Sequence, residues 1–305
     1  MGDVTRPPLE GTIAVRGGRR LGFAEFGDPH GAAVVWMHGT PGARRQIPVE
    51  ARALAELQGL RIVGIDRPGI GSSSPHVYAS VMDWTDDLIL VADTLGIDQM
   101  HIIGLSGGGP YALAAGAALP DRVLGVAVMG GVAPTVGEDA VDGGAIALAA
   151  YVAPLISLGR VPIGIALTIG IRLLKPVAGR VLDLYAVVQP QGDRRLLGRP
   201  EFKAMFVDDL LNGSRKQVTA PLSDLLLFTR DWGFTAADVK VPVRWWHGDD
   251  DHIVPHRHGE HMVARLPDAE LRTVSGESHL AGLGLAEEIL TTLMSLDDKA
   301  PQSVG

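Results

Sequence analysis

Residues that together can activate a serine occur in this chain in the order serine, aspartate, histidine. Ser106 stands between glycines in Gly104-Leu105-Ser106-Gly107-Gly108, after a short apolar run and before a helical pattern. This spacing is typical of a sharp strand-to-helix turn that lifts a serine hydroxyl above the edge of a sheet, where glycine fits because it has no Cβ. A serine hydroxyl is barely nucleophilic at neutral pH, so the pattern calls for a histidine base and an acid elsewhere in the chain.

The candidate partners of Ser106 lie near the C-terminus. The candidate acids are Asp249, Asp250 and Asp251, and the candidate base is His279; each group follows directly after a predicted strand. Because the carboxyl ends of parallel strands meet at one edge of a sheet, we expect these groups to gather there with Ser106. The run of three aspartates leaves the choice of acid open at this point.

The elements that would position these groups alternate between strand and helix. Continuous apolar runs such as Leu60–Ile65 and Val123–Met129 predict strands buried on both faces, and residues 81–95 have apolar residues at helical spacing. From residue 134 to 237 the pattern predicts helices and no strand. We therefore predict an α/β fold with a mostly parallel sheet and helices on both faces, formed by residues 1–133 and 238–305, with an all-helical cap or lid inserted at residues 134–237.

One part of the insert is unusually apolar. Between Gly143 and Ile171 the only charged residue is Arg160, and Pro154 and Pro162 divide the stretch. A membrane span needs about 20 apolar residues in succession. We expect the two prolines to break the helix, which favours buried lid helices and no integral membrane span. A surface that meets lipid or a partner is the alternative interpretation.

Composition narrows the classes of partner and site. The net charge is −8, and no Lys/Arg-rich run is present, which argues against nucleic acid or an anionic membrane surface as the main partner. The chain has no cysteine, so a disulfide, a thiol nucleophile and a cysteine-built metal site are excluded. The first residues contain no apolar signal-peptide region, and the simplest expectation is a cytoplasmic protein. The oligomeric state is left open.

Five motifs in order resemble those of the α/β-hydrolase superfamily, in the capped group that includes esterases and lipases. The resemblance covers essentially the whole chain outside the insert. The motifs are His38-Gly39-Thr40-Pro41, residues 66–73, Gly104–Gly108, Gly248–Pro255 and the loop that holds His279.

The resemblance implies a role for particular residues. It makes Ser106 the nucleophile, His279 the general base and Asp251 the acid, since family members place the acid third after the glycine of that loop. It also implies an oxyanion hole formed by the backbone N–H groups of Thr40 and Gly107. It implies no cofactor and no metal.

The expected function is hydrolysis of a carboxylic ester through an acyl-enzyme intermediate, with a small-molecule ester as substrate. Related epoxide hydrolases and haloalkane dehalogenases have an aspartate where Ser106 stands, so those activities are not expected. A peptidase of the prolyl aminopeptidase type, a thioesterase, a C–C-bond hydrolase or a perhydrolase would use the same three residues. A small-molecule receptor or signalling protein on the same fold also remains open.

Apolar residues of the insert suggest that the ester has an apolar acyl or alcohol group. The candidate walls of its pocket, each equally explained by packing within the insert, are Tyr151, Leu155, Ile156, Leu227, Phe228 and Trp232.

The remaining polar groups are expected to have structural roles. His38 is predicted to hold the oxyanion loop, and Asp66 and Ser73 are predicted to fix the loop that contains them. A group of histidines near the C-terminus lacks the spacing of known metal motifs and predicts a solvated surface helix rather than a metal site; its members are His252, His256, His258, Glu260 and His261.

Overall fold

Eight strands form the one sheet that the structure describes, and most of them are parallel. The computed structural model describes residues 6–215 and 218–297, and the side chains of all of these except residues 144–152, 154–155, 281 and 297. The strands are β1 (Leu9–Ala14), β2 (Arg20–Gly27), β3 (Ala32–Met37), β4 (Leu60–Ile65), β5 (Met100–Leu105), β6 (Val123–Met129), β7 (Val243–Gly248) and β8 (Ala269–Val274). Their order in the sheet is β1-β2-β4-β3-β5-β6-β7-β8. Strand β2 is antiparallel to β1 and β4, and every other neighbouring pair is parallel.

Helices follow the strands and cover both faces of the sheet. They are α1 (Val49–Gln58), α2 (Thr85–Leu95), α3 (Gly109–Ala118), α4 (Gly144–Leu174), α5 (Ala178–Val187), α6 (Gln191–Leu197), α7 (Pro200–Gly213), α8 (Ala220–Phe228), α9 (Arg257–Val263), α10 (Ala281–Gly284) and α11 (Ala286–Asp297). One apolar core joins the sheet to α2, α3 and α9, and a second joins its other face to α1 and α11. The predicted fold class is confirmed.

The central strands are apolar along their whole length because both of their faces are covered. Every residue of β4 and β5 is buried, as expected for strands of a parallel sheet between two layers of helix. The predicted bounds of β4 and β6 are confirmed without change. The predicted helix over residues 81–95 begins with a short 3-10 turn and ends at Gly96, whose left-handed φ of 65° closes α2.

Helices α4–α8, which we call the cap, lie between β6 and β7. No strand occurs in this insert among the residues that the structure describes. The cap packs against both apolar cores, since Phe228 belongs to one of them and Phe202 to the other. The all-helical insert is therefore confirmed, while its boundaries at residues 133/134 and 237/238 stay predictions.

Helix α4 corrects two expectations about the apolar part of the insert. It runs without interruption from Gly144 to Leu174, through Pro154 and Pro162, so the predicted break is wrong. A proline removes one hydrogen bond of a helix and crowds the preceding turn, which can kink the helix without ending it. Tertiary packing also holds this helix, because Thr168 and Gly164 contact the residues just before α8.

The apolar stretch is also far more exposed than predicted. Among the described residues, the segment Ile156–Val187 is long and apolar enough, by length and composition, to cross a membrane, and only 11% of its most apolar window is buried. The prediction of buried lid helices is therefore wrong for this segment. Its inner side packs on α8, and its outer side faces away from the protein.

Candidate active site

The turn between β5 and α3 holds Ser106 in a strained conformation at the carboxyl edge of the sheet. Ser106 has a φ of 51° and is the one non-glycine residue with a positive φ that the structure describes. A Cβ at Gly104 would lie 2.6 Å from the Gly108 carbonyl oxygen, and a Cβ at Gly108 would lie 2.3 Å from that of Met37. The glycines around Ser106 are therefore required by the close approach of the neighbouring backbone.

His279, in the loop after β8, reaches the Ser106 hydroxyl at the carboxyl edge of the sheet. The distance from His279 Nε2 to Ser106 Oγ is 2.9 Å, and both side chains are buried. The structure thus brings together two residues that are 173 positions apart. The distance is within the range required for proton transfer from a hydroxyl to an imidazole.

Asp251 is the aspartate of the three that contacts this histidine. Its Oδ2 lies 2.7 Å from His279 Nδ1, and its Oδ1 accepts hydrogen bonds of 2.9 Å from the backbone N–H groups of Ile253 and Val254. Burial alone would raise the pKa of Asp251, but these hydrogen bonds and that of His247 hold it well below its ordinary value. Asp251 is therefore a carboxylate at neutral pH.

The other two aspartates of the run have different partners. Asp249 accepts hydrogen bonds from Ser275 Oγ and the Gly276 N–H, and so ties the loop after β7 to the loop after β8. Asp250 lies at the surface, 3.2 Å from His252. Of the three aspartates, Asp251 is therefore the one that contacts His279, while its role as the catalytic acid stays a prediction.

His247 adds a contact that the sequence reasoning missed. Trp245 Nε1 donates to His247 Nδ1 over 3.1 Å, so the proton of the neutral ring is on Nε2. That nitrogen donates to the Val254 carbonyl over 2.8 Å and lies 3.4 Å from Asp251 Oδ2. His247 thus supports the carboxylate that orients His279. Its only signal in the sequence was its position at the start of the aspartate loop.

His38 and Thr40 lie on the loop after β3, across from Ser106. The Nδ1–H of His38 donates to the Gly39 carbonyl over 2.8 Å, and its Nε2 accepts from the Arg67 N–H over 3.2 Å. Burial, together with the nearby Arg67 charge, holds the pKa of His38 well below its ordinary value, so its ring is neutral. This placement agrees with a structural role for His38.

Thr40 and Gly107 are in direct contact. A Cβ on Gly107 would lie 2.3 Å from Thr40 Oγ1. The two residues predicted to supply the oxyanion hole therefore lie side by side next to Ser106, while their role in binding an oxyanion stays a prediction.

Arg67 holds the loop of Thr40 and is a second residue that the sequence reasoning missed. Its guanidinium donates to the His38 and Gly39 carbonyls, to Thr40 Oγ1 and, over 2.8 Å, to Asp224 Oδ2 of the cap. Asp224 also accepts hydrogen bonds of 2.8 Å from Thr40 Oγ1 and the Tyr111 hydroxyl. Arg67 stands inside one of the sequence motifs, but its partner lies 157 residues away.

Two more buried carboxylates of the cap hold loops of the site. Asp193 of α6 accepts from Ser278 Oγ over 3.1 Å and from the Leu280 N–H over 2.9 Å, on the two sides of His279. Burial raises the pKa of Asp193.

Asp209 of α7 does the same for the loop that follows Thr40. It accepts from the N–H groups of Ala43 and Arg45 over 2.8 and 3.0 Å. Burial raises the pKa of Asp209 to about 7. Each of the three carboxylates thus connects the cap to a loop beside Ser106.

Of the six candidate pocket-wall side chains, four are described by the structure and two are not. Ile156, Leu227, Phe228 and Trp232 are buried, and a Cβ on Gly107 would lie 3.2 Å from a ring carbon of Phe228. Phe228 is therefore the apolar side chain that the structure places directly over the turn of Ser106. The side chains of Tyr151 and Leu155 lie outside the described residues.

The C-terminal histidines are paired individually with protein groups. In the part of the chain that the structure describes, no group of three or more His, Cys, Asp or Glu residues is placed to hold a metal ion. His258 is fully buried, which differs from the expected solvated helix, and its Nδ1 accepts from the Ala133 N–H. Burial lowers the pKa of His258 to about 4, so the ring is neutral. His252 is exposed and points to Asp250.

Comparisons with known proteins agree on the fold and differ on the reaction. The chain is 32% identical over 133 residues to a proline iminopeptidase from Neisseria gonorrhoeae, which is 43% of this chain and 42% of that relative. It is 28% identical over 266 residues to the 2-hydroxy-6-oxononadienedioate/2-hydroxy-6-oxononatrienedioate hydrolase of Burkholderia vietnamiensis, with 82% of this chain and 81% of that relative covered. An esterase from a Rhodococcus species has a similar structure, with a TM-score of 0.67, 21% identity and 94% of this chain and 99% of that chain covered.

These likenesses carry unequal weight. The chain spans about two fifths of the length of the proline iminopeptidases that it matches, and the likeness to the Rhodococcus esterase shows the fold alone. The model of the alpha/beta hydrolase fold matches residues 32–283, which includes the turn of Ser106 and the loops of Asp251 and His279. This match extends over most of the chain and agrees with the observed strand order, and the chain therefore belongs to the alpha/beta hydrolase fold family.

Proposed function

We propose that this protein is a serine hydrolase that cleaves a carboxylic ester through a covalent acyl-enzyme. The observation that carries the proposal is the unbroken chain of hydrogen bonds from Ser106 Oγ through His279 to Asp251, with distances of 2.9 and 2.7 Å. This is the arrangement that makes a serine hydroxyl nucleophilic in hydrolases of unrelated folds.

In the first half of the reaction, Ser106 Oγ attacks the ester carbonyl carbon while its proton moves to His279 Nε2. The ionised Asp251 accepts from His279 Nδ1–H, which fixes the tautomer and stabilises the imidazolium. The tetrahedral intermediate collapses, the bond to the alcohol oxygen breaks, and His279 Nε2–H protonates the leaving alcohol. The acyl group stays on Ser106 Oγ.

In the second half, water replaces the alcohol and the steps repeat. His279 Nε2 takes a proton from the water, whose oxygen attacks the acyl carbon, and the proton then returns to Ser106 Oγ as the acid leaves. The N–H groups of Thr40 and Gly107 would stabilise the oxyanion in both halves, and each such donor contributes about 3 kcal/mol in other serine hydrolases. Arg67 supports this function indirectly, because it fixes both carbonyl groups that precede Thr40.

The walls of the site support a substrate with an apolar group. Phe228 lies against the turn of Ser106, and its ring contacts the rings of Tyr111 and Trp232 edge to face. An apolar acyl or alcohol chain that packs next to this buried aromatic cluster removes its own apolar surface from water and gains binding free energy in proportion to that area. We therefore expect esters with longer apolar chains to be preferred over acetates.

A peptidase that releases N-terminal proline is the second candidate, because the match to the proline iminopeptidases is an independent observation. Such an enzyme needs a free carboxylate near the nucleophile to bind the substrate amine. The three buried carboxylates of the cap, Asp193, Asp209 and Asp224, all accept hydrogen bonds from the protein itself. Because these three carboxylates are already hydrogen-bonded within the protein, we rank the ester reaction above the peptidase reaction.

The decisive experiment is labelling with a fluorophosphonate probe, which reacts only with an activated serine. We expect the wild type to be labelled and Ser106→Ala to be unlabelled, while Ser295→Ala, a variant of an exposed serine on α11, keeps full labelling. Labelling that persisted in Ser106→Ala would contradict the assignment of the nucleophile.

Substrate class is tested separately with p-nitrophenyl esters of increasing chain length beside proline p-nitroanilide. We expect kcat/KM to rise from acetate to the medium-chain esters and the anilide to be the poorer substrate. A maximum at acetate would contradict the apolar pocket, and faster cleavage of the anilide would favour the peptidase. A single burst of acylation without turnover would indicate a receptor instead of an enzyme.

A further inference from the structure

The outer side of α4 carries an apolar stripe whose members are all more than half exposed. The stripe consists of Leu158, Val161, Ile165, Ile169 and Leu173, and 86% of Leu158 and 74% of Leu173 are exposed. Successive members are three or four residues apart, so they lie on one face of the helix. Solvent-exposed helices normally carry polar residues on such a face.

Helix α5 and the residues just before and after it carry a second exposed apolar face. Val177, Val181, Leu184 and Val188 follow one another at intervals of four, three and four residues, and 72% of Leu184 and 75% of Val188 are exposed. Two such faces on consecutive helices together form an exposed apolar patch, in place of the single scattered apolar residues of an ordinary protein surface. Exposed apolar patches of this kind mark contact sites.

The inner side of α4 already has its partner, so the outer stripe is not an exposed core face that the cap has left open. Gly164 approaches Thr219 so closely that a Cβ would lie 2.5 Å from its methyl carbon, and Thr168 Oγ1 accepts from the Val218 N–H over 3.1 Å. Ile156 is buried with Leu222 and Leu226 of α8. The outer side of α4 is therefore the side that remains available to bind a partner.

The charges beside the patch are mostly basic. From residue 156 to 188 the chain carries Arg160, Arg172, Lys175 and Arg180 and one acidic residue, Asp183, which is paired with Lys203, although the net charge of the chain is −8. Anionic headgroups would pair with these cations. A second copy of the same surface would instead bring like charges together, and this repulsion disfavours self-association through the patch.

A groove at the end of the patch repeats this chemistry. It has a volume of about 530 Å³ and lies between the start of α5 and helix α7. Its charged lining residues are Lys175, Arg180, Lys203 and Asp183, and Asp183 is paired with Lys203. Val177 belongs to both the groove and the apolar patch. The groove therefore offers two cations to a phosphate where an acyl chain would meet the apolar stripe.

We propose that the outer face of α4 and α5 binds the surface of an anionic phospholipid bilayer, with the apolar stripes among the acyl chains and the basic residues at the headgroups. The helices lie on the membrane and do not span it, because the inner side of α4 is committed to α8. The net charge of −8 argues against an anionic membrane surface as a partner, but it is a sum over the whole chain. It does not reveal the local concentration of basic residues on α4, on α5 and in the turn between them. The proposal does not depend on which bond the site cleaves.

The test is flotation of the full chain with vesicles of phosphatidylcholine alone and with 30% phosphatidylglycerol. We expect binding to the anionic vesicles that weakens in 0.5 M salt. Leu173→Glu should reduce the partition coefficient by about tenfold or more, because one exposed leucine is lost from the buried surface. Leu57→Glu, in a leucine of α1 that is 83% exposed, is the matched control and should bind like the wild type.

The charges are tested by Lys175→Gln and Arg180→Gln, each expected to weaken binding to anionic vesicles about fivefold, with Lys240→Gln as control. Circular dichroism of every variant checks that the fold is kept. Equal binding to neutral and anionic vesicles, or equal loss in Leu57→Glu and Leu173→Glu, would overturn the proposal. A concentration-dependent dimer that Leu173→Glu abolishes, without vesicle binding by the wild type, would also overturn it and identify a second copy as the occupant.

Discussion

At the scale of single residues, the site depends on which of three consecutive aspartates faces His279. Asp251 reaches His279 Nδ1, Asp249 joins two loops, and Asp250 lies at the surface. Counting from Gly248 favours Asp251 only through the resemblance to a family, because spacing along an irregular loop does not determine the direction of a side chain. The structure supplies that direction through the two N–H groups that hold Asp251 Oδ1.

Exchange of Asp251 should therefore affect catalysis far more than exchange of its neighbour. In Asp251→Asn the amide can still accept the two N–H bonds, but it can donate to His279 Nδ1 and so favours the wrong tautomer of the ring. We expect kcat to fall about 10³–10⁴-fold, as in other serine hydrolases with this change. Steady-state hydrolysis of the best p-nitrophenyl ester measures it. Asp250→Asn is the control, with a change of less than about twofold, and a larger loss there would refute the assignment.

At the scale of elements, the sequence predicts the sheet well and the cap poorly. Strands such as β4 and β6 are encoded locally, because burial on both faces demands an unbroken apolar run. The contact of Arg67 with Asp224 joins residues 157 positions apart, and no local spacing reveals it. The unbroken α4 is a similar case: local sequence predicts a break at Pro162, whereas the contacts of Gly164 and Thr168 are with residues about 50 positions away, which local spacing does not reveal.

The pair of Arg67 and Asp224 should show strong coupling in a double-mutant cycle. Both groups are buried, so Arg67→Met or Asp224→Leu alone leaves an uncompensated charge and should cost about 3–5 kcal/mol of stability. The double variant should cost less than the sum of the two. Urea denaturation of the four proteins gives the coupling free energy.

A surface pair provides the comparison for this cycle. Arg122 and Asp93 are 2.7 Å apart but partly exposed, and the coupling of exposed pairs is about 0.2–1 kcal/mol. A coupling between Arg67 and Asp224 no larger than that of Arg122 and Asp93 would show that the buried pair does not join the cap to the core.

At the scale of the whole molecule, Asp209 gives the stability a dependence on pH. Its pKa is about 7 in the folded protein against an ordinary value of 3.8, so between these values the folded state binds a proton that the unfolded state does not. Its contribution to stability is therefore present at low pH and is lost as the pH rises through about 7. The slope is at most about 1.4 kcal/mol per pH unit.

Replacement of Asp209 by asparagine should remove this dependence. We expect the stability of the wild type relative to Asp209→Asn to fall by about 2.6 kcal/mol between pH 5 and pH 8, measured by urea denaturation at several pH values. Asp98→Asn changes an exposed aspartate and should leave the profile of the wild type unaltered. Parallel profiles for the wild type and Asp209→Asn would show that Asp209 is ionised throughout.

The three buried carboxylates of the cap also limit how this protein can be recombined with its relatives. Asp193, Asp209 and Asp224 each fit donors on a different loop of the core. A chimera that received this cap on another core, or another cap on this core, would have to carry the matching loops as well, because buried acceptors or donors without partners destabilise the fold. Exchange of caps is a natural way to change substrate preference within such a fold, and here the unit of exchange is the cap together with the loops of Thr40, Arg67 and His279.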